Sequence, residues 1–255
     1  MAFPVPALLR CALTFSVFTT SCLTFCFSAW SLLAISVGIL PVAANFDSRQ
    51  VILSISTAVA LVALAPLIVS SVMMARNEAL ERLIYMATHN QLTGLPNRRP
   101  FFDTGSKFLE DISTSQTCIT ITVFDLDHFK AINDTYGHAT GDRTLSAFAR
   151  VLTENLRKSD IFGRIGGEEF AAILINYSQD NAIEVANRIC MSFSSMQMQA
   201  ADGRPFLATV SVGLREFRGT LPCLDDLLAA ADATLYRAKA LGRDRVEVYR
   251  NDCVA

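Results

Sequence analysis

The sequence predicts an α+β domain with the ferredoxin-like, split βαβ topology, preceded by an α-helical transmembrane hairpin. Three observations lead to this prediction. The first 75 residues contain two long stretches without charge, the remainder alternates between β-branched runs and amphipathic helices, and a Gly-Gly turn joins two short strands in the middle of that alternation. The chain has 255 residues, 51% of them hydrophobic, and the apolar excess lies in the N-terminal part.

The N-terminal region, residues 1–75, is predicted to contain two membrane spans. No residue is charged from Cys11 to Phe46 or from Gln50 to Ala75. A membrane-spanning helix needs about 20 apolar residues, so we place spans at about 15–40 and 51–74. A cleaved secretory signal peptide is the alternative for the first stretch, but the apolar core of such a peptide is only about 7–15 residues long.

The basic residues that flank this hairpin predict its orientation. Arg10, Arg76 and Arg82 lie on one side, whereas Arg49 on the other side is partly offset by Asp47. By the positive-inside rule, both termini face the cytoplasm. We therefore expect a multi-pass membrane protein whose C-terminal domain is cytoplasmic.

A short helical stalk is predicted over residues 76–90, where Leu80, Leu83 and Ile84 lie on one helical stripe. The stripe covers about two heptads, which is compatible with a coiled-coil dimer. Gly94 then interrupts the helical pattern, and we place the folded domain over residues 91–250.

The composition of this C-terminal part excludes two classes of function. Acidic residues slightly outnumber basic ones after residue 75, which argues against a nucleic-acid polymer as partner. The seven cysteines show no CxxC spacing, so we interpret them as packing residues. His128 and His138 lack a second set of zinc ligands.

The core of the domain is predicted to alternate strands with helices. Residues 117–124 are β-branched and predict a buried strand, and residues 145–156 predict an amphipathic helix. The runs at 160–165 and 169–175 predict a hairpin across the Gly-Gly turn. The later elements are a helix over 180–196, a strand over 206–214, a helix over 224–241 and a strand over 245–249.

This topology brings acidic residues together. In the split arrangement the first strand lies antiparallel beside the third, so Asp125 and Asp127 at the end of the first strand face Glu168 and Glu169. Two unit charges about 4 Å apart repel by roughly 4 kcal/mol at an effective dielectric of 20. Such a cluster favours a cation, and all-oxygen ligands suit Mg²⁺ or Mn²⁺. Each stretch alone has a structural explanation, as a solvated hairpin turn or as an Asp127 helix cap.

Five sequence blocks carry a resemblance to a known family. In chain order they read LTGLPNRR, FDLDHFKAINDTYGHATGD, RIGGEEF, SVG and ADATLYRAKALGRDRV. Together, over residues 90–250, they resemble the GGDEF family, the bacterial diguanylate cyclases, and GGEEF at 166–170 is a variant of the family signature. The resemblance implies a nucleotidyl-cyclase, palm-like fold and, with the predicted spans, a location in the bacterial inner membrane. Asn90 departs from the aspartate that is usual in the family, at the junction of stalk and domain.

The resemblance also implies a metal site and a catalytic group. Asp125, the Leu126 carbonyl and Glu168 would bind metal, with Glu169 beside them, and two Mg²⁺ ions per active site are expected, with Mn²⁺ as the alternative. Glu168 is also the candidate general base. Lys130 would stabilise charge on the transferring phosphate.

The nucleotide contacts are implied in the same way. Asn133 and Asp142 would bind the guanine edge, which needs both donors and acceptors. Without the family these residues are ordinary helix-end residues, and cations near a helix C-terminus are favoured anyway. The remaining contacts are His138 lining the base pocket, Lys239 and Arg243 on the outer phosphates, and the backbone N–H groups of His128 and Phe129 at a helix start.

The reaction implied is the conversion of two GTP molecules into cyclic di-GMP and pyrophosphate, which requires a homodimer because each domain binds one GTP. The RKSD stretch, Arg157 to Asp160, matches a product-inhibition site, although alone it is a solvated helix end. One alternative is a catalytically silent receptor for GTP or cyclic di-GMP. Another is a related cyclase that makes cyclic GMP or cyclic AMP.

Overall fold

The computed structural model describes residues 48–112, 118–217 and 222–249, together with positions 26, 30 and 33. The chain divides into two compact units, one ending at Ile84 and the other beginning at Tyr85. In the described part of the first unit, residues 48–84 belong to helix α1 (Ser48–Thr88).

The described residues do not support the predicted membrane hairpin. None of the helices within them combines the length and the apolar character needed to cross a membrane. The predicted transmembrane hairpin and the multi-pass inner-membrane location are therefore wrong. The predicted span at 51–74 is part of α1, which continues into a segment that contains Arg76, Glu78 and Arg82. Apart from three positions, the predicted span at 15–40 lies outside the described residues.

The second unit contains the predicted α+β domain. Its helices and strands, in chain order, are α2 (Arg98–Ile112), β1 (Ile119–Leu126), α3 (Phe129–Tyr136), α4 (His138–Asn155), β2 (Ile161–Arg164), β3 (Glu169–Ile175), α5 (Gln179–Ser194), β4 (Met198–Gln199), β5 (Pro205–Phe206), β6 (Val210–Phe217), α6 (Leu224–Ala240) and β7 (Val246–Val248). The α2 helix and the small β4–β5 hairpin are additions to the predicted order.

Five of these strands form one sheet in the order β2-β3-β1-β6-β7. The β3 strand is antiparallel to both β1 and β2, and β6 is antiparallel to β1, whereas β7 runs parallel to β6. Because β3 lies between β1 and β2, the connection through α3 and α4 is the predicted split βαβ unit. The predicted domain topology is confirmed.

The sheet has a hydrophobic core on each face, which explains why every residue of β1 is buried. Phe124 and Leu126 face a core shared with α4 and α5, and Ile121 and Val123 face a core shared with α2 and α6. Alternation along the strand thus assigns each side chain to one of the two cores.

Phe148 of α4 lies at an aromatic centre in the first core. Its ring centroid is 5.8 Å from that of Phe124, and 5.0 Å from those of Phe170 and Phe193. Edge-to-face pairs of this kind contribute about 0.5–1.5 kcal/mol each beyond their buried area. Phe170 is the last residue of GGEEF, so the signature turn is attached directly to this core.

The opposite face has an unusually close approach of helix to strand at Gly213 of β6. A Cβ atom at this position would collide with the backbone of α6, at the Ala231 carbonyl and the Leu235 nitrogen. Glycine is therefore required by space, since α6 lies directly on the strand backbone. This contact sets the distance of α6 from the sheet.

Candidate functional site

The register of β1 on β3 brings the two acidic stretches together. Asp125 lies directly opposite Glu169. One residue further on, the Leu126 N–H donates to the Glu168 carbonyl at 3.3 Å. The predicted juxtaposition of the DLD and GGEE stretches is confirmed by this pairing.

Asp125 is a buried carboxylate held against a cation. Its side chain reaches Lys239 of α6, with 2.9 Å between Oδ2 and Nζ, and the residue is only 6% exposed. Burial raises the pKa of Asp125 above its ordinary value, the Lys239 ammonium opposes that rise, and the charges of Glu168 and Glu169 add to it. The edge therefore carries excess negative charge, and Lys239 offsets part of it.

Asp127 does not join the predicted cluster of four carboxylates. Its Oδ1 accepts a hydrogen bond from the Ser211 hydroxyl at 2.6 Å, and its Oδ2 accepts bonds from the Thr209 hydroxyl at 2.7 Å and the Asp244 backbone N–H at 3.1 Å. The residue is 4% exposed. Its oxygens are thus engaged by protein donors.

The Gly-Gly turn is supported by Arg164, to which the sequence analysis assigned no role. Its guanidinium donates to the carbonyls of Gly166 and Gly167, the closest contact being 2.6 Å from Nη2 to the Gly167 oxygen. Burial lowers the pKa of Arg164, and the negative charges of Asp142 and Glu168 oppose that fall. Arg164 is therefore a cation placed to hold the turn in shape.

Asn90 supports this arrangement from the segment before α2. Its Oδ1 accepts hydrogen bonds from the N–H groups of Leu92 and Thr93, at 3.2 and 3.1 Å, and from Arg164 Nη1 at 3.1 Å. A neutral amide oxygen thus fills the position where the family usually has a carboxylate. The chain entering the domain is connected to the Gly-Gly turn through two side chains.

The predicted base-binding residues lie on α3 and α4. The Asn133 side chain lies against the backbone of Gly141, where a Cβ would collide with it, and Asp142 is the next residue. His138 begins α4 and is one helical turn from Asp142, and both side chains are exposed. These three predicted residues are therefore close together.

The start of α3 holds three further predicted residues. His128 precedes the helix with a left-handed backbone, φ 54°, and no side chain within the described part of the chain caps it. Phe129 is buried in the core, and Lys130 is exposed on the first helical turn. N–H groups at a helix start are suited to bind an anion.

The predicted phosphate-binding residue Arg243 lies in the corner between α6 and β7. Its N–H donates to the Ala238 carbonyl at 3.0 Å, and both Arg243 and Asp244 have left-handed backbones, with φ 64° and 47°. The ammonium group of Lys239, in the last turn of α6, contacts the Asp125 carboxylate. The two predicted phosphate contacts thus belong to one helix end.

The Arg157–Asp160 turn lies at the other end of β2. Asp160 is 6% exposed, and its carboxylate accepts bonds from the N–H groups of Arg157 and Ile175, at 2.8 and 3.3 Å, and from the Tyr177 hydroxyl at 3.1 Å. Burial, with the Asp160 charge adding to it, raises the pKa of Tyr177, which keeps the hydroxyl a donor. The Arg157 guanidinium is exposed and lies 4.3 Å from the Tyr177 ring centroid.

The residues at the acidic edge fit a divalent cation that arrives with a substrate. The described residues contain no group of three or more His, Cys, Asp or Glu side chains arranged as a metal cage. Mg²⁺ is usually held by one or two carboxylates together with substrate phosphates, so Asp125, the Leu126 carbonyl and Glu168 offer a suitable all-oxygen set. In this structure the Asp125 carboxylate is paired with the ammonium group of Lys239.

Comparisons with known proteins agree with this geometry. A sequence profile described as "Diguanylate cyclase, GGDEF domain" matches residues 87–245. The "Probable diguanylate cyclase DgcF" of Escherichia coli (strain K12) is 30% identical over 257 residues, which cover 98% of this chain and 80% of that protein. The "Response regulator PleD" of Caulobacter vibrioides (strain NA1000 / CB15N) is 36% identical over 168 residues, 66% of this chain and 37% of that protein.

Two solved structures share the fold. The coiled coil and GGDEF domain of DgcB from Caulobacter crescentus, in complex with c-di-GMP, superimposes with a TM-score of 0.68 and 31% identity, covering 72% of this chain and 98% of that one. The active GGEEF domain of a diguanylate cyclase from Vibrio cholerae gives a TM-score of 0.57 and 26% identity, covering 62% of this chain and 99% of that one. In both cases the match includes nearly all of the other chain.

Proposed function

This chain belongs to the GGDEF family of diguanylate cyclases, and we propose that it converts two GTP molecules into cyclic di-GMP and two pyrophosphates with Mg²⁺ as the metal. The observation that carries the proposal is the register that places Asp125 opposite Glu169 and joins Leu126 to Glu168. The proposed catalytic domain spans about residues 91–250, after a helical stalk at 76–90.

The reaction is a phosphoryl transfer between two nucleotides. The 3′-hydroxyl of one GTP attacks the α-phosphate of the other, the bond to the β-phosphate breaks, and pyrophosphate leaves. A second, identical step closes the ring. A bound divalent cation would polarise the phosphate and lower the pKa of the attacking hydroxyl.

The acidic edge would supply the groups nearest to the reacting atoms. Asp125, Glu168 and the Leu126 carbonyl would hold the metal, with Glu169 adding negative charge. Glu168 would accept the proton of the attacking 3′-hydroxyl. The variant signature keeps a carboxylate at position 168, so this chemistry remains available with glutamate in place of aspartate.

The cationic groups would bind the phosphates. Lys239 would exchange its contact with Asp125 for a phosphate oxygen, because a metal arriving at the carboxylate replaces the charge that the ammonium supplies. Arg243 would hold the outer phosphates from the adjacent corner. Lys130 would stabilise charge on the transferring group, assisted by the N–H groups of His128 and Phe129.

The pocket between α3 and α4 would select guanine. Asn133 offers a donor and an acceptor, and Asp142 accepts from the ring N–H and the exocyclic amine. His138 would line the same pocket. Adenine lacks the donor pair that a carboxylate binds, so this set supports a preference for GTP over ATP.

Two active sites must meet for each product molecule, so we propose a homodimer. Leu80, Leu83 and Ile84 of α1 are each more than half exposed, which suits pairing of two such helices. We also propose feedback by the product at the Arg157–Asp160 turn. The exposed Arg157 guanidinium is available to bind a phosphate or a guanine edge, while Asp160 keeps the turn in shape.

The deciding experiment incubates the full-length chain with GTP and MgCl₂ and identifies the product by mass. Formation of cyclic di-GMP supports the proposal, and omission of Mg²⁺ should abolish it. Binding of GTP without turnover, even after fusion to a strong dimerisation module, would overturn the proposal and indicate a silent receptor. Cyclic GMP as product would indicate a different cyclase.

A further inference from the structure

We propose that Asp127 is a positioning residue that fixes the corner between α6 and β7, and through it the phosphate-binding groups Lys239 and Arg243. The inference rests on the proposed function, since only a nucleotide gives these cations a task. It assigns to Asp127, which lies just after β1, a role separate from that of Asp125, which lies two residues earlier within the strand.

The contacts of Asp127 join segments that are far apart in the sequence. Its three side-chain partners lie 82, 84 and 117 positions away, two at the start of β6 and one in the corner. Its backbone N–H also donates to the Thr209 carbonyl at 2.9 Å. Three donors on one buried carboxylate make a charge-assisted network, and such bonds are stronger than neutral ones.

The corner needs such support because its backbone is strained. Arg243 and Asp244 both adopt left-handed conformations, which are unfavourable for residues with a Cβ atom. The Asp244 N–H is held by Asp127, and the next residue, Arg245, accepts a bond from the Val212 N–H at 2.9 Å. The corner is thus held at consecutive positions by Asp127, just after β1, and by Val212 of β6.

The geometry also explains how the two aspartates divide the task. Asp125 is the penultimate residue of β1, and Asp127 is the first residue after the strand. Asp125 meets Lys239 within the last turn of α6, and Asp127 meets Asp244 just after the helix ends. The end of β1 and the residue that follows it thus contact both ends of the segment Lys239–Asp244, and Arg243 lies next to the second contact.

The test compares full-length parent with Asp127→Asn, Ser211→Ala and Thr122→Val. Asparagine keeps the size of the side chain but replaces one acceptor oxygen with an amide NH₂ group, which is a donor. Ser211→Ala removes one donor from the network and leaves the carboxylate in place. Thr122→Val is the matched control, because among the described residues its buried β1 hydroxyl has no hydrogen-bond partner.

Three quantities are measured: the KM and kcat for GTP, the Mg²⁺ concentration for half-activation, and the hydrogen–deuterium exchange of the peptide covering residues 242–246. For Asp127→Asn we expect KM to rise about tenfold with kcat within about threefold, as is typical when a supporting hydrogen bond is lost. Exchange at the corner should accelerate about tenfold, and the Mg²⁺ requirement should stay unchanged. Ser211→Ala should give a smaller change of the same kind, and Thr122→Val none.

Several outcomes would overturn the proposal. A lower melting temperature with unchanged KM and unchanged corner exchange would make Asp127 merely structural. A raised Mg²⁺ requirement with a protected corner would make it a metal ligand. If Asp127→Asn does not fold, Ser211→Ala decides between the same outcomes. If the parent makes no cyclic di-GMP, the proposed function fails, whereas corner exchange still tests whether Asp127 holds this segment.

Discussion

Asp125 and Asp160 lie at opposite ends of the central sheet and are equally buried, at 6% exposure each, yet their surroundings differ. Asp125 faces a partly exposed ammonium group and two neighbouring glutamates, and burial raises its pKa. Asp160 receives two backbone N–H groups and a tyrosine hydroxyl. Burial alone therefore does not reveal what a carboxylate does, because the donors that reach it decide whether it is free to bind something else.

The difference has a physical origin in stability. A buried carboxylate with three donors stabilises the fold, whereas one beside two like charges costs stability that a single ammonium group, here Lys239, offsets only in part. The carboxylate of the far turn is thus used for structure, whereas the negative charge of the acidic edge is not fully compensated within the protein and suits the proposed cation. Four substitutions test this contrast.

Glu168→Gln should have the largest effect, a loss of turnover of about a hundredfold or more, because it removes an anionic metal ligand and the proposed base together. The fold should remain intact, since the change also relieves repulsion at the edge. The measurement is the initial rate of cyclic di-GMP formation, with Glu154→Gln on the exposed face of α4 as control. Activity within about tenfold of the parent would show that Glu168 is neither an essential metal ligand nor the general base.

Asp160→Asn should lower the free energy of unfolding by about 2–3 kcal/mol, because three donors would then compete for one remaining acceptor oxygen. Denaturant unfolding monitored by circular dichroism measures this quantity. Asp111→Asn, an exposed aspartate on α2, is the control and should change stability little. An equally small change for Asp160→Asn would show that the two ends of the sheet do not differ as described.

Arg157→Ala should weaken inhibition by added cyclic di-GMP about tenfold, which corresponds to the loss of one charged contact. The initial rate in the absence of product should stay close to that of the parent, since Arg157 lies across β2 from the acidic edge. Progress curves with and without added product give both quantities. If parent and variant reach a plateau at the same product concentration, this turn is not an inhibitory site.

Asp125→Asn should raise stability at neutral pH by roughly 0.5–2 kcal/mol, as often happens when a strained functional group is neutralised. The pKa of Asp125 in the fold lies above its ordinary value of 3.8, so ionisation costs stability as the pH rises through that folded pKa. Below about pH 3.8 the carboxyl is neutral in both states, and the advantage of asparagine should vanish there. Unfolding curves between pH 3 and 8 measure this, and a variant less stable than the parent at pH 7 would contradict the contrast.

Much of the domain was predictable because hydrophobic alternation specifies strands and their faces. The run at 117–124 identified β1, and the split topology then placed Asp125 near Glu169 without any knowledge of side-chain positions. The α2 helix was missed because Pro100 lies near its start, directly after a turn-rich stretch. The β4–β5 hairpin was missed because each strand has only two residues.

The supporting contacts of the site could not be predicted in the same way. Arg164 lies two residues before the Gly-Gly turn. A cation so close to Glu168 and Glu169 in the sequence was the one signal that could have indicated its role at the turn. The role of Asp127 depends on hydroxyls more than eighty positions away, which no local pattern reveals. The membrane prediction rested on the length of the charge-free stretches alone, and none of the helices within the described residues has the length and apolar character needed to cross a membrane.

The close contact at Gly213 fixes where the buried side of α6 rests on the sheet. The helix touches β6 at Ala231 and Leu235, and Lys239 follows Leu235 by one further turn along the same helix. A methyl group at position 213 would push this part of the helix away from the sheet and tilt its C-terminal end. The ammonium group of Lys239 would then no longer reach Asp125. The position of Lys239 at the end of α6 is thus set about one helical turn earlier, by Gly213, which contributes only through its lack of a side chain.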